Sequence, residues 1–251
     1  GNPCDFQKIY NLKKKYGFKI IEDASHAIGG TYKDFPIGSC KYSDITVFSF
    51  HPVKIITTAE GGILLTNDNE VKKKLVTLRS HGITKDSNDF IGKNDGPWFY
   101  QQHELGFNYR MTDIQAALGS SQLTRLESFL NIRNEIAECY KRKLSSLPIS
   151  YQQVPETNYS AYHLFVINLD EDLLSRKEEI FSGLLKAGVG ANVHYIPVHL
   201  HPYYKEKGFK EGDFPVAELY YKRAISLPLH STLTSVEQDY VIDNLKNSLK
   251  I

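Results

Sequence analysis

The run Phe48-Ser49-Phe50-His51-Pro52-Val53-Lys54-Ile55-Ile56-Thr57-Thr58-Ala59-Glu60-Gly61-Gly62 sets one lysine in a short connection between two strand-forming stretches. The first, Ile45 to Phe50, is β-branched and aromatic; the second, Gly62 to Thr66, resumes after a glycine pair. Upstream, Asp5 can cap a helix over Phe6, Ile9 and Tyr10 that stops near Gly17. Phe18 to Ile21 then reads as a buried strand closing on Glu22 and Asp23. Helix followed by strand is the pattern of an α/β chain, and in open α/β sheets ligands gather where strands end.

The chemistry of the two strand ends is complementary. An amine that forms imines must be partly desolvated and held beside a phosphate site and an electron-withdrawing ring. Lys54, with hydroxyls and glycines around it, suits that use. A carboxylate at the end of a neighbouring strand, Asp23, can keep a pyridinium nitrogen protonated, so the pair points to pyridoxal phosphate. Plainer readings exist: most lysines are solvated, an aspartate after a strand often caps a helix, and Ser49 could be a small packing residue.

Thirty basic and 29 acidic side chains leave a net charge of +1, which gives no general pull toward nucleic acid or membrane and makes a small-molecule partner the default. The cysteines Cys4, Cys40 and Cys139 are odd in number, widely spaced and without a CxxC pair, against both a disulfide framework and a zinc knuckle. A reducing cytoplasm is the expected location. No apolar stretch approaches the roughly twenty residues that span a bilayer. His194, His199 and His201 are close in sequence, but Pro197 and Pro202 prevent a regular helix between them and no nearby carboxylate completes a triad, so no metal is expected.

Further along, Arg79 to Leu105 is polar and too long for a simple connector, as expected of a surface or functional loop. Thr112 and Gln115 form a capping box, and Ile114, Ala117, Leu118, Leu126, Phe129 and Leu130 follow helical spacing. After Pro148, strands are expected at Tyr162 to Leu169 and Val189 to Ile196, with a helix over Lys177 to Ala187 ended by Gly188 and a final helix capped by Thr234 and Glu237. Residues 1–125 are read as part of a cofactor-binding large domain and 126–251 as a small α+β domain.

Several segments carry a family resemblance: Gly1-Asn2-Pro3-Cys4-Asp5, Glu22-Asp23-Ala24-Ser25-His26, Ser49-Phe50-His51-Pro52-Val53-Lys54, Glu60-Gly61-Gly62, Gly106-Phe107-Asn108-Tyr109-Arg110-Met111 and Val193-His194-Tyr195-Ile196-Pro197-Val198-His199. They resemble the DegT/DnrJ/StrS nucleotide-sugar aminotransferases along the whole chain. The resemblance implies the fold-type I pyridoxal-phosphate transferase architecture, a mixed, mostly parallel sheet with a smaller carboxy-terminal domain. Chains of the family are longer, so this sequence is expected to begin inside the large domain, after a loop that would hold the cofactor phosphate.

The resemblance also implies roles. Lys54 would carry the cofactor and move a proton, Asp23 would face the ring nitrogen, and His26 would reach the phenolic oxygen. Ser49 would donate to the phosphate, and Asn108 to the phosphate of a neighbouring subunit, which implies a homodimer with shared sites. Arg110, His194 and Tyr195, with His199, would lie near the sugar nucleotide. The His-Pro-Val-Lys form is most similar to the pseudaminic-acid branch, in which an amino acid, expected to be L-glutamate, supplies the amino group for C4 of a UDP-linked 4-keto-6-deoxy-N-acetylhexosamine. The alternatives are a sugar dehydratase, which in this family generally carries histidine in place of that lysine, and a non-catalytic fragment that binds the cofactor.

Overall fold

A computed structural model describes residues 1–250. The chain divides into an amino-terminal unit, Pro3–Leu126, and a carboxy-terminal unit made of Gly1–Asn2 and the chain from Glu127 onward.

In the amino-terminal unit, α1 (Phe6–Tyr16) starts where the Asp5 side chain accepts from the Lys8 amide, and stops at Gly17, whose φ of 74° is left-handed. Strand β1 (Ile21–Asp23) is followed by a small hairpin of β2 (Thr31–Tyr32) and β3 (Phe35–Pro36). Next come β4 (Ile45–Ser49) and β5 (Gly62–Leu65). The sheet order is β1-β4-β5, with β1 parallel and β5 antiparallel to β4, so the sheet is mixed as expected while its mostly parallel character is not visible in these three strands.

The register pairs Asp23 with Val47 and Ser49 with Gly62. Because side chains alternate, Asp23, Val47 and Ser49 share one face, and Glu22, Thr46 and Phe48 share the other. The second face is closed: Thr46 and Phe48 are buried, the Thr46 and Ser43 hydroxyls donate to Glu22 Oε2 at 2.9 and 3.2 Å, and Tyr32 packs edge-to-face against Phe6 and Tyr42. The first face is open, with Ile21 67% and Leu64 51% exposed. The strand expected from Phe18 is therefore shorter and half-open. Its ladder starts late because the Ile20 amide is taken by the Asp44 carboxylate at 2.8 Å, and Phe18 is exposed.

Beyond the sheet lie α2 (Asn69–Leu78), capped by Asp68, and the strands β6 (Ile83–Thr84) and β7 (Gln101–Gln102), which close the expected long loop into a hairpin. The Gln101 amide clasps Ile91 N and O, both at 2.8 Å. Helix α3 (Asp113–Leu123) carries the expected capping box. The expected continuous helix breaks at Thr124–Arg125, and α4 (Leu126–Leu144) starts anew. The apolar spacing of α3 does not mark its buried face: Ile114 and Leu118 are exposed, and the half-buried positions are Gln115, Gly119 and Gln122.

The carboxy-terminal unit adds β8 (Ile149–Tyr151), β9 (Asn158–Tyr159), β10 (Phe165–Leu169), α5 (Lys177–Lys186), α6 (Pro202–Lys205), α7 (Pro215–Arg223), β11 (Ala224–Leu227) and α8 (Ser235–Leu249). An antiparallel sheet in the order β11-β10-β8 packs with α4, α5 and α8 around a core that includes Tyr140, Leu144, Ile167, Ile180, Leu184, Ile225, Ile242 and Leu245. Each such side chain contributes roughly 1.5–3 kcal/mol by leaving water. The expected strand at Tyr162 begins only at Phe165, since Tyr162 has a φ of 41° that no strand accepts. Val189 to Ile196 forms no strand, only a single bridge from Asn192 to Ser226.

Candidate active site

Lys54 and Asp23 lie within electrostatic reach of each other in the amino-terminal unit. Asp23 ends β1, and its Oδ1 accepts from the Ser25 hydroxyl at 2.5 Å and the Ser25 amide at 3.0 Å. Those bonds hold its carboxyl below the usual range, helped by the charges of His26 and Lys54. Partial burial lowers the Lys54 ammonium from its ordinary value while the Asp23 charge pulls it back up. The result is an amine closer to its free-base form than a surface lysine, with an ionised carboxylate beside it.

The backbone around Lys54 is fixed from both sides. Its own amide donates to His51 O at 2.9 Å, and Ile55 and Ile56 are buried. The Phe50 carbonyl accepts from the Thr58 amide at 3.0 Å and the Thr57 hydroxyl at 2.9 Å, while the Phe50 amide reaches Gly61 O at 2.8 Å. The Thr58 hydroxyl donates to Glu60 O at 2.7 Å. Gly61 is required, because at its φ of 156° an added Cβ would stand 2.3 Å from Thr58 Oγ1.

The expected site residues fall into three groups. Asp23 interacts with both His26 and Lys54, and Ser49 shares the Asp23 face of the sheet, its Oγ accepting from the His51 amide at 3.4 Å. Asn108 and Arg110 belong to the same unit: Asn108 bridges to Ser80, both residues are exposed, and among the described residues neither hydrogen-bonds Asp23 or Lys54. His194 and Tyr195 belong to the carboxy-terminal unit, where His194 Nδ1 lies 2.7 Å from Ser226 Oγ and the two rings meet edge-to-face at 4.5 Å.

His199 departs from the expected cluster. It is buried, with Nε2 2.8 Å from Glu218 Oε1, an oxygen that also accepts from the Gly212 amide at 2.8 Å. The carboxylate that sequence proximity did not supply arrives from α7, nineteen residues on, and turns this histidine inward. Among the described residues no cluster of histidine, cysteine and carboxylate could hold a metal ion. Sequence reasoning also missed Ser25, which fixes Asp23, and the Glu22–Thr46 contact, for which the only signal is alternation along β1 and β4.

The model of the DegT/DnrJ/EryC1/StrS aminotransferase family matches residues 1–246. Among curated relatives, the spore coat polysaccharide biosynthesis protein SpsC of Bacillus subtilis is 39% identical, covering 100% of this chain and 64% of the relative. The UDP-4-amino-4,6-dideoxy-N-acetyl-beta-L-altrosamine transaminase of Campylobacter jejuni is 38% identical with the same coverage, 100% and 64%. Among solved structures, Helicobacter pylori PseC, an aminotransferase involved in pseudaminic acid biosynthesis, superimposes with a TM-score of 0.88 at 30% identity, over 99% of this chain and 64% of that one. Spr1654 of Streptococcus pneumoniae in its PLP-form gives 0.87 at 32% identity, over 99% and 66%. The chain thus spans slightly less than two thirds of the curated relatives it matches. With the family model matching nearly its whole length, this chain belongs to the DegT/DnrJ/EryC1/StrS aminotransferase family.

Proposed function

We propose that this chain carries the lysine-bearing part of a pyridoxal-phosphate-dependent aminotransferase that acts on a nucleotide sugar. The observation that carries the reading is the coupled pair: a partly desolvated Lys54 amine beside an Asp23 carboxylate fixed in its ionised form by Ser25. That donor set fits the cofactor, because an aldehyde needs a free amine and a protonated ring nitrogen needs a carboxylate. When bound, pyridoxal phosphate supplies the aldehyde and the ring that draws electrons from the substrate carbon.

The chain's own residues would do the rest. Lys54 Nζ holds the cofactor and then moves the proton at the substrate carbon; Asp23 fixes the ring's charge; His26 orients the ring through its phenolic oxygen; Ser49 Oγ binds the phosphate. Asn108 would serve the site of a second copy, and the exposed side chains flanking it, Leu105 at 90% and Ile114 at 85%, suit burial in a homodimer. Arg110, His194 and Tyr195 would contact the sugar nucleotide, with UDP as the nucleotide, a 4-keto-6-deoxy-N-acetylhexosamine as acceptor and L-glutamate as donor. Similarity to the Campylobacter jejuni UDP-4-amino-4,6-dideoxy-N-acetyl-beta-L-altrosamine transaminase and to PseC supports the UDP-linked amino sugar in that reading, while the donor rests on the family resemblance alone.

Treatment with pyridoxal phosphate and borohydride, followed by peptide mass mapping, is expected to leave the reduced cofactor on Lys54; its absence there overturns the assignment. The Asp23→Asn variant sharpens it. Because Asp23 raises the Lys54 value, its loss lowers that value further, and pH-dependent acylation of Lys54 shifts to lower pH. A panel of 4-keto sugar nucleotides with glutamate tests the substrate, and a fall in specific activity on dilution tests the shared site.

A further inference from the structure

Helix α3 has an unusual inner face. Of its eleven residues, the three that are half-buried are Gln115, Gly119 and Gln122, at helical spacings of four and three, while its apolar residues Ile114, Leu118 and Leu123 are exposed. This polar stripe receives the connection that holds Lys54. Gln122 Oε1 accepts from the Thr57 amide at 2.9 Å. Gln115 Nε2 donates to Glu60 O at 3.0 Å, and its Oε1 is occupied by the Thr112 amide at 2.9 Å and hydroxyl at 3.0 Å, so the side chain cannot turn away without uncapping the helix. Between them Gly119 lets Thr58 approach so closely that an added Cβ would come 2.7 Å from Thr58 Cγ2.

The segment gripped in this way is tied internally to Phe50 as well, through the Thr57 hydroxyl and the Thr58 amide, and one of its residues is strained. Ala59 has a φ of 65°, a left-handed conformation that a residue with a Cβ seldom adopts. It persists because its amide is bonded to Thr57 Oγ1 at 3.0 Å and because the residues on either side are tied to α3. Thr57 lies three residues after Lys54, with the buried Ile55 and Ile56 between, so displacement at Thr57 is transmitted to the lysine backbone through packed side chains.

We propose that Gln115 and Gln122 are positioning residues for the Lys54 amine: α3 acts as a polar clamp that fixes the lysine connection at Thr57 and Glu60 and so sets the direction in which Nζ is offered. The inference rests on Lys54 being the cofactor lysine. Gln122 is the sharper probe, since it makes one bond to one amide and caps nothing. It also separates the bond from the shape of the side chain, because Gln122→Glu keeps an acceptor oxygen where Gln122→Ala has none.

The experiment compares the unmodified chain with Gln122→Ala and Gln122→Glu in three measurements: hydrogen exchange at the Thr57 amide, the rate at which pyridoxal phosphate becomes fixed to Lys54 by borohydride, and the pH profile of Lys54 acylation without cofactor. Loss of one hydrogen bond predicts about fivefold faster exchange at Thr57 and about fivefold slower fixation in Gln122→Ala, with Gln122→Glu within about twofold of the unmodified chain. The acylation profile of Gln122→Ala is expected to move toward that of an ordinary solvated lysine. Faster exchange at Thr57 with unchanged fixation and an unchanged acylation profile overturns the proposal, as does a Gln122→Glu variant as slow as Gln122→Ala. If the unmodified chain takes no cofactor on Lys54, the proposed function fails by itself, and the acylation profile alone decides whether the clamp positions the amine.

Discussion

The carboxy-terminal unit closes on a contiguous apolar core drawn from α4, β10, α5, β11 and α8, and a deeply buried cation, Arg133, gives Nη1 to the carbonyls of Tyr162 at 3.2 Å and Leu229 at 3.1 Å. The amino-terminal unit closes one face of its sheet with aromatic packing around the hydrogen-bonded Glu22, Thr46 and Ser43, leaves the other open, and fixes its functional connection with hydroxyls and amides. The contrast separates two tasks. Apolar packing gives stability without direction, since any well-filled core suffices. Hydrogen bonds fix direction, and the unit that carries Lys54 and Asp23 invests in them.

Truncation in the apolar core should give the largest effect. Ile167 is fully buried in the middle of β10, paired with Ile225 on one side and Tyr151 on the other. Ile167→Ala is expected to cost about 2–5 kcal/mol in the calorimetric transition of the carboxy-terminal unit. It should leave the acylation profile of Lys54 in place. A shifted profile would show that the two tasks are not separable. Gly61→Ala comes next and strikes the other unit. The new Cβ meets Thr58 Oγ1 at 2.3 Å and Met111 Cε at 2.8 Å, and Thr58 is buried with its hydroxyl committed to Glu60 O, so it cannot move aside freely. An expected loss of about 1–3 kcal/mol in urea denaturation should come with faster exchange at the Thr57 and Thr58 amides.

The same contrast governs what could be read from the sequence. Helices α1, α5 and α8 were legible because caps and apolar spacing agree: Asp5 and Gly17 bound the first, Gly188 follows the second, and the Thr234–Glu237 box opens the third. The nearness of Asp23 and Lys54 was legible because a strand end and a motif coincide. The α3 clamp was not. Its apolar residues sit on the exposed side, so periodicity named the wrong face, and Gln115 announced only its capping bond while its Nε2 was reaching for Glu60 O. His199 shows the same limit, since its partner Glu218 lies on a later helix and no local pattern links them.

The smallest expected effect lies on the closed face of the amino-terminal sheet, and its sign tests whether polar fixtures there cost stability. Burial raises the Glu22 carboxyl above its ordinary 4.5, and the Thr46 and Ser43 hydroxyls only partly offset that. The folded chain therefore keeps a proton at Glu22 that the unfolded chain has lost. Between 4.5 and the higher folded value the native state binds more protons, so this group's contribution to stability falls as pH rises through that window and stays at its lower level above it. Glu22→Gln removes the charge but keeps an oxygen for the two hydroxyls. At neutral pH the variant should be more stable by a few tenths to about 1 kcal/mol, and at low pH, where Glu22 is protonated in both states, the advantage should vanish. Denaturation midpoints of the two chains across the acid and neutral range give the difference directly, with the other carboxylates cancelling. A variant less stable at neutral pH would mean that the ionised Glu22 accepts hydrogen bonds strong enough to outweigh its burial, and that this unit draws stability as well as direction from its polar groups.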